Sequence, residues 1–249
     1  MITVRATATG RIHLLKDIDC QDTIDFRLVN GGFVFAVADG AGSASSSRQG
    51  SQLASGAFCE HLSKSELVYP YDTCLVAACG VARKALEEAA EKQGCALESL
   101  NTTLFGGVYL NGSLRCAGIG DSLGFVVGGN GSIQSPIRPA KGEYVNETVF
   151  VNSLRWREFL RVSPLMENPK YLFACSDGLL NIIYSLIHED GEWKVIPHID
   201  IMSGMVDYLI KSSHGADVDR ELADMLGSDK ANNLNADDKA LLVVVFHES

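Results

Sequence analysis

Apolar and polar residues alternate with a period of two at the start of the chain, with Ile2, Val4 and Ala6 on one side and Thr3, Arg5 and Thr7 on the other. That pattern predicts a half-buried strand, because successive strand side chains point to opposite faces. Residues 23–29 alternate in the same way through Ile24, Phe26 and Leu28, then reach a turn at Asn30-Gly31-Gly32. The run that follows, Phe33-Val34-Phe35-Ala36-Val37, is apolar at every place. Together they predict a hairpin whose second strand is buried on both faces. The period then changes. A helix is expected over about 46–61 and a second over about 71–93, where Leu75, Cys79, Ala82, Leu86 and Ala89 recur at spacings of three and four. Arg83, Glu87, Glu88 and Glu91 form its wet side.

Strands are expected again at 102–110 and 113–119 around Asn111-Gly112, and at 124–127 and 132–134 around Gly128-Gly129-Asn130-Gly131. A short buried strand is expected at 171–175, helices at 179–187, 199–212 and 218–226, and a closing strand at 241–246. Residues 135–168 are the least regular and read either as a flap over a site or as an ordinary connection. Strands joined by tight turns, not by helical crossovers, predict an antiparallel α+β fold and not a doubly wound parallel sheet. No linker interrupts the pattern, so residues 1–249 are expected to form a single domain.

Composition narrows the function. The chain carries 21 basic and 31 acidic side chains, a net charge of −10, with no basic tract to grip a phosphate backbone, so nucleic acid is not an expected partner. The longest apolar run, Ala240 to Phe246, is far short of the about 18 residues a membrane span needs. The first residues lack the apolar core of a secretory signal. Seven cysteines, an odd number with no CxxC pair, argue against a disulfide framework or a zinc knuckle. A cytoplasmic location is expected.

The chemistry lies in a repeated local design. Val34-Phe35-Ala36-Val37-Ala38 ends at Asp39-Gly40, Cys116 to Gly120 ends at Asp121-Ser122, and Leu172 to Ser176 ends at Asp177-Gly178. Asp237-Asp238 stands just before the closing strand. Each alone is also what a plain turn looks like. Taken together they set carboxylates on rigid mounts, and several carboxylates brought close repel one another unless a cation lies between them. Carboxylate and carbonyl oxygens suit hard cations such as Mg2+ or Mn2+, and two such ions can support phosphoester hydrolysis. No G-x-S-x-G, P-loop or H-E-x-x-H occurs.

The ordered set Gln21-Asp22, Ala38-Asp39-Gly40-Ala41-Gly42, Gly120-Asp121-Ser122, Ser176-Asp177-Gly178 and Asp237-Asp238 resembles the type-2C metal-dependent Ser/Thr protein phosphatases, from about Gly10 to Phe246. Residues 142–148 resemble a divergent bacterial branch. The resemblance implies an αββα sandwich, two packed antiparallel β-sheets flanked by helices on both outer faces. It also implies a centre of two Mn2+ or Mg2+ ions at one end. By motif match, Asp39 bridges the ions, the Gly40 carbonyl binds one of them, and Asp177 and Asp237 hold the other. Asp22 orients metal-bound water, and Asp121 with Asp177 supports a third ion in bacterial members. The implied activity is hydrolysis of phosphoserine or phosphothreonine in proteins by direct attack of metal-bound water, with a cognate Ser/Thr kinase as a further partner.

The chain departs from the family at the phosphate clamp, where Asp17 stands in place of an arginine. Among the nearby cations Arg11, His13 and Lys16, His13 is the expected substitute. Ala41 replaces a histidine that could protonate the leaving group, Gln21 replaces a glutamate and Ala240 a threonine. These changes leave a second reading open, a catalytically weak or inactive module on the same scaffold that binds phosphoproteins and regulates.

Overall fold

The structure, a computed structural model, describes residues 1–137, 148–189, 192–212 and 217–246. Its first sheet runs in the order β1 (Ile2–Ala8), β13 (Lys239–Val245), β10 (Tyr171–Cys175), β6 (Leu123–Val127) and β7 (Ile133–Gln134). The second runs β2 (Thr23–Val29), β3 (Gly32–Ala38), β4 (Leu104–Leu110), β5 (Ser113–Ile119) and β8 (Arg161–Val162), and β9 (Met166–Glu167) also pairs with β5. All these pairings are antiparallel. The helices are α1 (Arg11–Leu14), α2 (Ser47–Lys64), α3 (Asp72–Gln93), α4 (Trp156–Phe159), α5 (Ile199–Ser212), α6 (Val218–Gly227) and α7 (Asp229–Leu234).

The apolar runs are apolar throughout because their strands are covered on both faces. In β3, Phe33, Phe35 and Val37 enter the core between the sheets, while Val34, Ala36 and Ala38 pack beneath α2 and α3. In β13, Ala240, Leu242 and Val244 face the other sheet, while Leu241, Val243 and Val245 pack with Met202, Val206 and Leu209 of α5 and Leu222 and Leu226 of α6. The result is the expected αββα sandwich, with one apolar layer between the sheets and one under each pair of helices.

One expectation needs correction. The helix expected at 179–187 is absent. A 3-10 turn at Asp177–Leu179 is followed by β11 (Tyr184–Glu189), which pairs with β12 (Glu192–Pro197) as a separate hairpin. Asn181 sits at φ 65°, a left-handed conformation that ends helical winding. The signal passed over was Asp190-Gly191, a hairpin dipeptide between two alternating runs. Within the irregular segment 135–168, Val149, Val151 and Trp156 are buried in the layer beneath α2 and α3, and β8 and β9 pair with β5, as an ordinary connection would. The rest of the flap reading falls on residues 138–147, and these, with nearly all of the 142–148 motif, lie outside the described residues.

Candidate metal centre

Strand register brings the acidic motifs to one end of the sandwich. Pairing of Thr23 with Ala38 sets Asp22, just before β2, beside Asp39, just after β3. Two antiparallel steps make β3 and β5 run the same way, so Asp121 leaves β5 at that same end. In the other sheet, pairing of Cys175 with Leu241 sets Ser176-Asp177 beside the residues that lead into β13.

Ligand oxygens of Asp39, Asp121 and Asp177 all lie within 4.8 Å of one another. Burial, reinforced by Asp22, Asp177 and Asp121, pushes the Asp39 carboxyl well above the usual carboxylate range. Asp22 is 6% exposed. Burial raises its carboxyl too, a Ser176 hydrogen bond opposes the shift, and Asp238, Asp177 and Asp237 add to it. Its buried Oδ2 has no hydrogen-bond partner.

The mounts are braced. The Asp39 carbonyl accepts from Thr103 N (2.9 Å) and Thr102 Oγ1 (2.8 Å), and Thr103 Oγ1 shares a hydrogen bond with Ser122 Oγ (2.7 Å). Thr148 Oγ1 donates to Asp121 Oδ2 at 2.8 Å. Gly40 is squeezed by the start of α2. A Cβ there would lie 2.7 Å from the Ser47 carbonyl oxygen and 2.9 Å from that of Gln21, so glycine is required for this approach.

The remaining expected residues sit differently. Asp237 is exposed, its Oδ1 accepts the N–H of Asp238 at 2.9 Å, and it is not part of the three-carboxylate group. Its neighbour Asp238, 3% exposed, anchors the N-terminal segment. Its carboxylate accepts from Gly10 N (2.7 Å) and Gln21 N (2.6 Å) and lies 2.8 Å from His13 Nδ1. His13 is therefore 6% exposed and held from behind, and its Nε2 lies 3.9 Å from where a Gly42 side chain would begin. Lys239, wholly buried, donates from Nζ to the Asp237 carbonyl (2.7 Å) and Asn232 Oδ1 (3.0 Å). Sequence patterning passed over Asp238 as an anchor because an adjacent Asp pair gives no sign of which member turns inward. Lys239 was missed because buried lysine is rare.

Asp238→Ala leaves Gly10 N, Gln21 N and His13 Nδ1, the first and last of them in buried bonds, without their partner and is expected to cost about 3 kcal/mol or more, read from chemical unfolding. A loss below about 1 kcal/mol would show that the anchor carries little stability.

The donor set fits a hard divalent cation. Its side-chain ligands are all oxygen, the three carboxylates are crowded, and Asp22 Oδ2 is a buried acceptor with nothing to accept from. An αββα sandwich with carboxylates from both sheets gathered at one end defines a class of two-layered α+β folds carrying an acidic candidate site for a cation.

The sequence profile of the protein phosphatase 2C family matches residues 9–227, and the chain belongs to that family. It is 24% identical to Serine/threonine-protein phosphatase 3 of Escherichia coli, over 98% of each chain. It is 23% identical over 216 residues to an uncharacterised protein of Methanocaldococcus jannaschii, covering 86% of this chain but 43% of that longer protein. A crystal structure of the catalytic domain of the serine/threonine protein phosphatase PstP, in complex with 2 manganese ions, shares the fold at a TM-score of 0.62 and 17% identity, covering 97% of this chain and 95% of that one. Among the described residues no helix is long and apolar enough to cross a membrane.

Proposed function

We propose that this chain is a metal-dependent phosphatase that removes phosphate from phosphoserine and phosphothreonine in proteins. The observation that carries this reading is the convergence of Asp39, Asp121 and Asp177 with Asp22 behind them. Family membership and the manganese reported for the PstP structure support Mn2+ or Mg2+ as the ions. Asp39, the Gly40 carbonyl, Asp121 and Asp177 would hold them, with the exposed Asp237 as a further ligand. When bound, such cations supply Lewis acidity and make water acidic enough to deprotonate near neutral pH.

The protein's own groups do the rest. Asp39, from the second sheet, and Asp177, from the first, fix the spacing of charge at the site. Asp22, buried beside the cluster with its Oδ2 unpartnered, is placed to accept a hydrogen bond from water and so orient it at the site. His13, braced by Asp238, presents its Nε2 edge toward the Gly40–Gly42 loop and is proposed to contact the phosphoryl group from there. With Ala41 in the loop, the leaving serine or threonine oxygen takes its proton from solvent.

The test is hydrolysis of an aryl phosphate and of phosphothreonine peptides across Mn2+, Mg2+ and chelator. Turnover that needs the metal and disappears with chelator is expected. Metal binding without turnover, together with tight binding of a phosphorylated protein, would favour the regulatory module instead, a reading drawn from Asp17 standing where the family carries its phosphate-clamping arginine.

A further inference from the structure

Strand β1 is one edge of the first sheet and β2 one edge of the second, and residues of both line a common cavity. Register pairs Thr3, Arg5 and Thr7 of β1 with Val244, Leu242 and Ala240 of β13, so these polar residues face the space between the sheets, where β13 presents its apolar side chains. The interior cannot close on a guanidinium and hydroxyls, and a cavity of about 420 Å³ opens there. Its walls include Arg5 and Thr7 of β1, Thr23 of β2, and Arg48 and Gln52 from the first turns of α2, and Asp22 lines it as well. The cavity therefore adjoins the metal centre through Asp22, the residue whose Oδ2 is buried without a partner.

We propose that this groove receives the polypeptide flanking the phosphorylated residue, and that Arg48 and Arg5 select acidic side chains there, whether carboxylate or phosphate. The inference rests on the phosphatase reading above and gives that site a substrate class. The lining is polar and open, suited to an extended peptide whose main chain can bond to Thr7, Thr23 and Gln52, and unlike the largely apolar clefts that hold small molecules. Asp219 of α6 accepts the Arg5 main-chain N–H at 2.9 Å, so the edge of β1 is capped there and specificity falls to side chains.

Arg48 already holds an acid. Its guanidinium pairs with Asp19, whose side chain is 75% exposed against 52% for Arg48. Exposed pairs of this kind are weak and readily exchanged. Asp19 thus occupies the place an incoming carboxylate or phosphate would take, on a chain whose net charge of −10 otherwise repels acidic partners.

The experiment compares kcat/KM on two phosphothreonine peptides, one with glutamates on either side of the phosphoresidue and one with alanines, in Mn2+, with p-nitrophenyl phosphate as a substrate too small to reach the groove. The wild-type protein is expected to prefer the acidic peptide by about tenfold, the product of two exposed charge pairs. Arg48→Ala combined with Arg5→Ala is expected to erase the preference, and Asp19→Asn to increase it by about threefold. Equal kcat/KM on the two peptides, or a preference that survives the double substitution, overturns the subsite while leaving the phosphatase intact. Failure on all three substrates overturns the phosphatase reading. The subsite is then decided by calorimetric binding of the two phosphopeptides, where equal affinity overturns it.

Discussion

Asp39→Asn is expected to lower metal-dependent phosphoester hydrolysis by about a thousandfold or more while leaving the fold in place. The substitution keeps shape and removes one charge from the carboxylate group that bridges the two sheets. Several kcal/mol of charge stabilisation are at stake in a metal-assisted displacement, and each 1.4 kcal/mol or so is a factor of about ten. The same change should act on stability in the opposite sense. Burial and three neighbouring aspartates push Asp39 above its ordinary value of 3.8, so without metal the native state binds that proton more tightly than the unfolded chain does. Metal-free wild-type protein therefore gains stability as pH falls through the raised native value, and the gain is complete below 3.8. Asparagine at this position has no charge to bury, so the metal-free variant should melt higher near neutral pH and lose much of that pH dependence. Conversely, Mn2+ at about 100 times its dissociation constant should stabilise the wild type by about 2.7 kcal/mol and the variant by far less. Thermal unfolding with and without Mn2+ at several pH values reads all of this. A variant that retains turnover within tenfold would remove Asp39 from the centre.

Gly178→Ala is expected to destabilise the protein by about 3 kcal/mol and to weaken Mn2+ binding at least tenfold. A Cβ at Gly178 would lie 1.7 Å from the Asp238 carbonyl oxygen and 2.8 Å from its carbonyl carbon, a collision with backbone that no rotamer relieves. Either the 3-10 turn that carries Asp177 or the start of β13 must move, and overpacking of this kind costs about 1–3 kcal/mol or more. Because Asp177 is one of the gathered ligands and Asp238 anchors Gly10, Gln21 and His13, the movement reaches both the metal and its surroundings. Denaturant unfolding and metal calorimetry give the two numbers. Wild-type values for both would mean that the turn and the strand do not bear on one another.

Most of the framework was readable from side-chain period alone. Fully apolar runs such as Phe33 to Val37 signal strands covered on both faces, and helices packed outside both sheets supply that cover. The three clustered aspartates were legible because each stands within two residues of the end of a buried strand. The hairpin at 184–197 was not, because Leu179, Leu180, Ile182 and Ile183 place apolar residues at helical as well as strand spacings, and only the left-handed Asn181 decides. The different placements of Asp237 and Asp238 were likewise illegible. Which of two adjacent carboxylates turns inward is decided by donors more than 200 residues away in sequence, at Gly10, His13 and Gln21.

The gathered carboxylates come from two separate hydrogen-bonded ladders, Asp39 and Asp121 from one and Asp177 from the other. A cation held among them would rivet the two layers at that end, opposing any motion that slides or hinges one against the other. Amide hydrogen exchange in β3, β5 and β10 should accordingly slow together when Mn2+ is added, as one cooperative block, whereas the outlying β11–β12 hairpin keeps its own pace.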